Sequence, residues 1–122
     1  MRALIIDDCC IARTCLREML RKRSIDCEEA ADGQAALDLL HGGSKFDLAF
    51  VDWNMPVMDG LEMLKRLHAE HYPALKAIMV TAEGDRRHIL RALAAGADEY
   101  LMKPFDSQAL NEKLAILGIR EA

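Results

Sequence analysis

The chain is poor in aromatic residues, and it has no apolar run near the ~20 residues of a membrane span. No signal-peptide leader is expected, since Met1–Arg2 runs directly into the strand-like ALIID. The default expectation is therefore a cytoplasmic location. Positive charge is not in excess: the formal net charge is −4. That balance argues against direct nucleic-acid binding, which needs a basic face. None of Cys9, Cys10, Cys15 and Cys27 has C-x-x-C spacing, so a zinc or thioredoxin-like reading is weak. All four are expected as reduced thiols, with Cys15 and Cys27 in the core. The absence of G-x-x-x-x-G-K-[ST] excludes a P-loop nucleotidase. No linker or low-complexity segment interrupts the sequence. With 52% apolar and 30% charged residues in 122, one globular domain over 1–122 is expected.

Five apolar, strand-like runs alternate with helical patterns. They are Ala3–Asp7, a weak run Ile25–Ala30, Leu48–Asp52, Ala77–Ala82 and Glu99–Lys103. The first helix runs from about Ile11 to Lys22, with Ile11, Cys15, Leu16, Met19 and Leu20 on one stripe. Asp32–Gly33 opens the second, which runs to Leu40 and is closed by Gly42–Gly43. Leu61, Leu64 and Leu67 mark the third, and the fourth spans about Asp85 to Ala95. The fifth starts near Asp106, a plausible N-cap, and carries Leu110, Leu114 and Leu117. Continuous apolar strands alternating with amphipathic helices predict an α/β fold: five βα units in one doubly wound parallel sheet, covered on both faces.

Ligands of such sheets bind beyond the carboxyl ends of the strands. Strand one ends on Asp7–Asp8, strand three on Asp52, strand four on Thr81 and strand five on Lys103. Singly these have ordinary readings: a helix N-cap, a solvated turn, a structural hydroxyl, a surface lysine. On four strand ends of one small domain, together, they argue for chemistry. Two carboxylates about 4 Å apart repel by on the order of 4 kcal/mol at an effective dielectric near 20. Protonation relieves that repulsion, and so does a hard divalent cation such as Mg2+, which takes few carboxylates and keeps several waters. Lys103 compensates in part. A Mg2+ ion with open positions beside a lysine receives phosphoryl groups. The remaining acid is then a nucleophile that forms an aspartyl phosphate. His41, His68, His71 and His88 end no strand and are expected on helix surfaces without a chemical role.

IIDD, VDWNMPVMDG, VTAEG and YLMKPF together resemble the receiver domain of two-component response regulators, over essentially the whole chain. The stand-alone chemotaxis type is the nearest likeness. The resemblance implies a flavodoxin-like sheet of order 2-1-3-4-5. It implies that Asp52 accepts a phosphoryl group from a phosphohistidine on a sensor kinase or histidine phosphotransfer protein. Asp8 and Asp52 would ligate Mg2+ (or Mn2+) directly, with the backbone carbonyl of Asn54, and Asp7 would act through water. Lys103, joined to Pro104 by a cis bond, would pair with phosphoryl oxygens, and Thr81 would bond one of them. Asn54 and Glu83 would tune dephosphorylation. Thr81 and Tyr100 would switch the face of helix four, strand five and helix five toward an output protein. Self-phosphorylation and dephosphorylation would be the only catalysis, by a monomer or weak dimer with no membrane or nucleic-acid partner.

Two alternatives stand beside this one. A haloacid-dehalogenase-like phosphohydrolase also uses an aspartyl phosphate, but it needs Asp-x-Asp where this chain has DDCC, and there is no room for a cap domain. The chain is alternatively a receiver excised from a larger regulator with a DNA-binding or enzymatic output domain. Cys9–Cys10, directly after the acid pair, departs from expectation and marks either a tolerant position or a redox-sensitive one.

Overall fold

The computed structural model describes residues 1–55, 58–72, 74–82 and 86–119. Its elements are β1 (Arg2–Ile6), α1 (Cys10–Arg21), β2 (Asp26–Ala30), α2 (Gly33–His41), β3 (Leu48–Asp52), α3 (Gly60–Glu70), β4 (Lys76–Ala82), α4 (Arg86–Ala94), β5 (Glu99–Lys103) and α5 (Ser107–Ile116). All strand pairings are parallel, and the sheet order is β2-β1-β3-β4-β5. This is the expected doubly wound architecture. β1 stops at Ile6, so Asp7 and Asp8 lie just beyond the strand.

Each central strand feeds two cores, because successive side chains point to opposite faces. Leu4, Ile6, Ala49, Val51 and Met79 pack with Leu37 of α2, Met63 and Leu64 of α3 and Ala92 of α4. Ala3, Ile5, Leu48, Phe50, Ile78, Val80 and Leu101 pack with Leu16 and Leu20 of α1 and Leu110 and Leu114 of α5. Burial on both faces explains why these strands read as unbroken apolar runs. The edge strand β2, sequence DCEEA, has a single buried residue, Ala30, and reads weakly for that reason.

Among the described residues, three helices start on aspartate caps. The carboxylates of Asp32, Asp59 and Asp106 accept the backbone N–H of Ala35, Glu62 and Ala109 at 2.7, 2.9 and 2.9 Å. α1 starts at Cys9 without a side-chain cap.

The α1 stripe is narrower than its periodicity suggests. Leu16 and Leu20 are buried and Met19 is partly buried, whereas Ile11 is 71% exposed and Cys15 is also exposed. Cys15 is therefore not a core residue: it lies on the wall of an open cavity beneath α1 rather than against the sheet. Cys27, on the edge strand, is half-buried, and that burial pushes its thiol up to about 11.

Candidate phosphoryl-acceptor site

Asp7, Asp52 and Thr81 are the buried polar side chains among the described residues, and all three lie at the carboxyl edge of the sheet. The strand register brings them together. Asp52 pairs with Val80, and Ala82 pairs with Lys103. Alternation places Asp52 above Phe50 and Lys103 above Leu101, both on the α1–α5 side, and sends Thr81 to the opposite side with Met79.

The Lys103 ammonium bridges two acids, donating to Asp7 Oδ2 at 2.9 Å and to Asp52 Oδ1 at 3.2 Å. Burial acts to lower the lysine's pKa, but the bond to Asp7 and the charge of Asp52 outweigh it, and the net direction is up. Asp52 is pushed above the ordinary carboxylate range, first by burial and then by the charge of Asp7, against the pull of Lys103. One amine does not neutralise this pocket. Single carboxylate oxygens of Asp7, Asp8 and Asp52 lie within 4.8 Å of one another, with Asp8 on the solvent side. Clustered oxygens, one open to water, under-compensated by a single cation, fit Mg2+ or Mn2+. Thr81 Oγ1 is buried and has no hydrogen-bond partner among the described residues.

The acids are held by neighbours that sequence reasoning missed. Asp7 Oδ1 accepts the Cys9 N–H at 2.9 Å, and the Asp7 carbonyl accepts Arg13 Nη1 at 2.6 Å. Arg13 also donates Nε to Glu29 at 3.0 Å. An i,i+6 contact from α1 back to its own entry turn leaves no periodic trace in sequence. Gly60 has a sharper requirement. A Cβ there would sit 2.4 Å from the Asp52 carbonyl oxygen, so only glycine lets α3 start against this peptide.

Asn54 is exposed beside the pocket, and the Lys103–Pro104 bond is cis. Tyr100 is half-buried on β5 with the Lys113 ammonium 3.7 Å from its ring centroid, and Lys113 also donates to Glu99 at 3.1 Å. Glu83 lies outside the described residues. A cavity of about 450 Å3 opens beside Asp52 and Lys103, walled by Leu16, Met19, Phe50 and Phe105. His41 and His68 lie on helices and His71 follows α3, but His88 is half-buried and stacks on Trp53, so it is not a plain surface residue.

The sequence profile of the response regulator receiver domain matches residues 3–115. The chain belongs to this family. As a receiver domain it is a phosphoryl-accepting switch of two-component signalling, and such domains bind Mg2+ at an acidic pocket and work between a kinase or phosphotransfer partner and an output target. It is 41% identical to the chemotaxis protein CheY of Pseudomonas aeruginosa, over 93% of each chain. It is 40% identical to a CheY homolog of Campylobacter jejuni, over 97% of this chain and 93% of that one. The structure of Vibrio cholerae CheY4 superposes with a TM-score of 0.84 at 29% identity, covering 98% of both chains. A response regulator/GGDEF domain protein superposes at a TM-score of 0.89 and 26% identity, over 95% of this receiver and 48% of that chain. No described helix is long and apolar enough to cross a membrane.

Proposed function

We propose that Asp52 accepts a phosphoryl group from the phosphohistidine of a sensor kinase or histidine phosphotransfer protein, with Mg2+ or Mn2+ required. An Asp52 carboxylate oxygen attacks phosphorus, the P–N bond breaks, and its electron pair stays on the departing imidazole nitrogen. The bound ion would neutralise charge on the phosphoryl oxygens and orient them. Asp8, Asp52 and the Asn54 carbonyl would hold it, and Asp7 would act through water. Lys103, already between Asp7 and Asp52, turns to a phosphoryl oxygen, and the unpartnered Thr81 hydroxyl donates to another. The cavity beneath α1 leaves the approach to Asp52 open. Asn54 and Glu83 set how fast water removes the phosphoryl group.

Loading replaces a single negative charge by a larger one with more acceptor oxygens. Thr81 is drawn to it, and Tyr100 follows as a population shift on the α4–β5–α5 face. That face is basic and apolar at α4. Arg86, Arg87 and Arg91 make no ion pair among the described residues, and Leu90 and Leu93 are exposed. An acidic output segment with apolar anchors suits it, in a cytoplasmic, monomeric or weakly dimeric protein.

The observation that carries this reading is the pair of buried acids sharing one lysine beside an unpartnered buried hydroxyl. Acetyl phosphate with Mg2+ is expected to label the native chain, and to leave Asp52→Asn unlabelled while that variant stays folded. Equal labelling of the two would remove Asp52 from the reaction.

A further inference from the structure

Outside the acid pocket, an aromatic contact joins the residue that follows Asp52 to α4. The Trp53 indole lies face to face with the His88 imidazole, ring centroids 4.0 Å apart and planes inclined by 12°. Trp53 directly follows Asp52. Alternation along β3 sends its ring to the α2–α3–α4 side, where it is buried. Its backbone has little freedom: its N–H donates to Val80 O at 2.8 Å, and its carbonyl accepts Gly60 N–H at 2.9 Å. The backbone from which the ring projects is therefore tied to the peptide that carries Asp52.

α4 is held far less firmly. Of its nine residues only Ala92 is buried, and Leu90 and Leu93 are exposed. His88 lies in its first turn, the end nearest Thr81. A helix with so little buried surface takes its position from the few contacts it has. Aromatic stacking is directional, so a tilt or slide of the indole changes what the imidazole rests on.

We propose that the Trp53–His88 stack sets the position of the first turn of α4 and couples it to the state of Asp52. His88 is a positioning residue: it touches no reacting atom and acts through Trp53. The coupling in the loaded state rests on the aspartyl-phosphate reading above; the positioning in the unloaded state does not.

Trp53 is the sole tryptophan, so its emission reports the stack directly. The full-length chain, His88→Ala and His88→Phe are compared by amide hydrogen exchange over 86–94 and by tryptophan emission. Both are followed with and without acetyl phosphate plus Mg2+, with the Asp52 labelling rate measured in parallel. In His88→Ala, unloaded exchange over α4 is expected to rise about fivefold, with changed emission and at least about half of the loading-dependent difference lost. Labelling stays within about twofold of native, because the acid pocket is untouched. His88→Phe, which keeps a flat ring, restores both exchange values. Native-like α4 exchange in His88→Ala, or a His88→Phe variant that behaves like His88→Ala, overturns the proposal. If the native chain is not labelled at all, the Asp52 reading fails, and the unloaded exchange and emission still decide the stack.

Discussion

Both ends of the sheet carry aspartates at strand boundaries, used in opposite ways. At the amino ends, Asp47 precedes β3 and Asp98 precedes β5. Their carboxylates accept backbone N–H groups of the neighbouring strands, Arg2 at 2.9 Å and Ala77 at 2.8 Å. At the carboxyl ends, Asp52 accepts from Lys103 alone among the described residues, and shares that amine with Asp7. A carboxylate bonded to backbone donors alone belongs to the fold. One that shares a single amine with a second acid, under cover from water, leaves charge that the fold does not neutralise. Asp7, which has both the Cys9 N–H and Lys103, stands between the two kinds. Residue type and strand position are alike at the two ends; the partner decides which acid is structural and which is chemical.

The largest effect expected tests how the carboxyl end is held. Besides its strand pairing and the Lys103 bond, Asp52 is closely approached by the backbone at Gly60. Gly60→Ala must displace either α3 or the Asp52 peptide and should lower the unfolding free energy by about 3 kcal/mol in a urea titration. A native midpoint would mean the acid is not fixed by this contact.

A smaller effect tests the contrast itself, because its sign differs between the ends. In metal-free buffer at neutral pH, Asp98→Asn should lower the melting midpoint and Asp52→Asn should raise it, each by about 4 °C, or ~1 kcal/mol. The sign for Asp52 follows from its raised pKa. The folded state holds that proton more tightly than the unfolded chain does. Its contribution is thus complete below the ordinary carboxylate pKa and lost as pH rises through the raised one. Shifts of the same sign would erase the distinction between the two ends.

The smallest effect concerns Glu29, which pairs with Arg13 and Arg17 beside the Asp7 turn. Burial acts to raise its pKa, but bonds to Arg17 and Arg13 prevail and lower it. Its contribution is therefore present above the ordinary carboxylate pKa and lost as pH falls through the lowered one. Glu29→Gln should cost about 0.5 kcal/mol at pH 7. A gap from native that persists at the acid end would show that the charge is not what stabilises.

The sheet was legible because burial on both faces writes long apolar runs, and Asp52, Thr81 and Lys103 were legible because those runs end on them. Ile11 and Cys15 misled, since helical spacing marks an apolar arc but not how much of it the sheet reaches. Lys103 as partner of the acids was legible too, but the Arg13 bond to the Asp7 carbonyl and the stack of Trp53 on His88 were not. Each depends on how separate elements are placed, and no periodicity encodes that.

Lys113 faces two ways, toward Glu99 and over the Tyr100 ring. On the proposed reading, an acidic partner docking nearby competes for that ammonium and frees the aromatic. Linkage is reciprocal: whatever free energy phosphoryl loading lends to partner binding, the bound partner returns to the loaded state. On that reading, the listener on this face helps to set how much of the message is held.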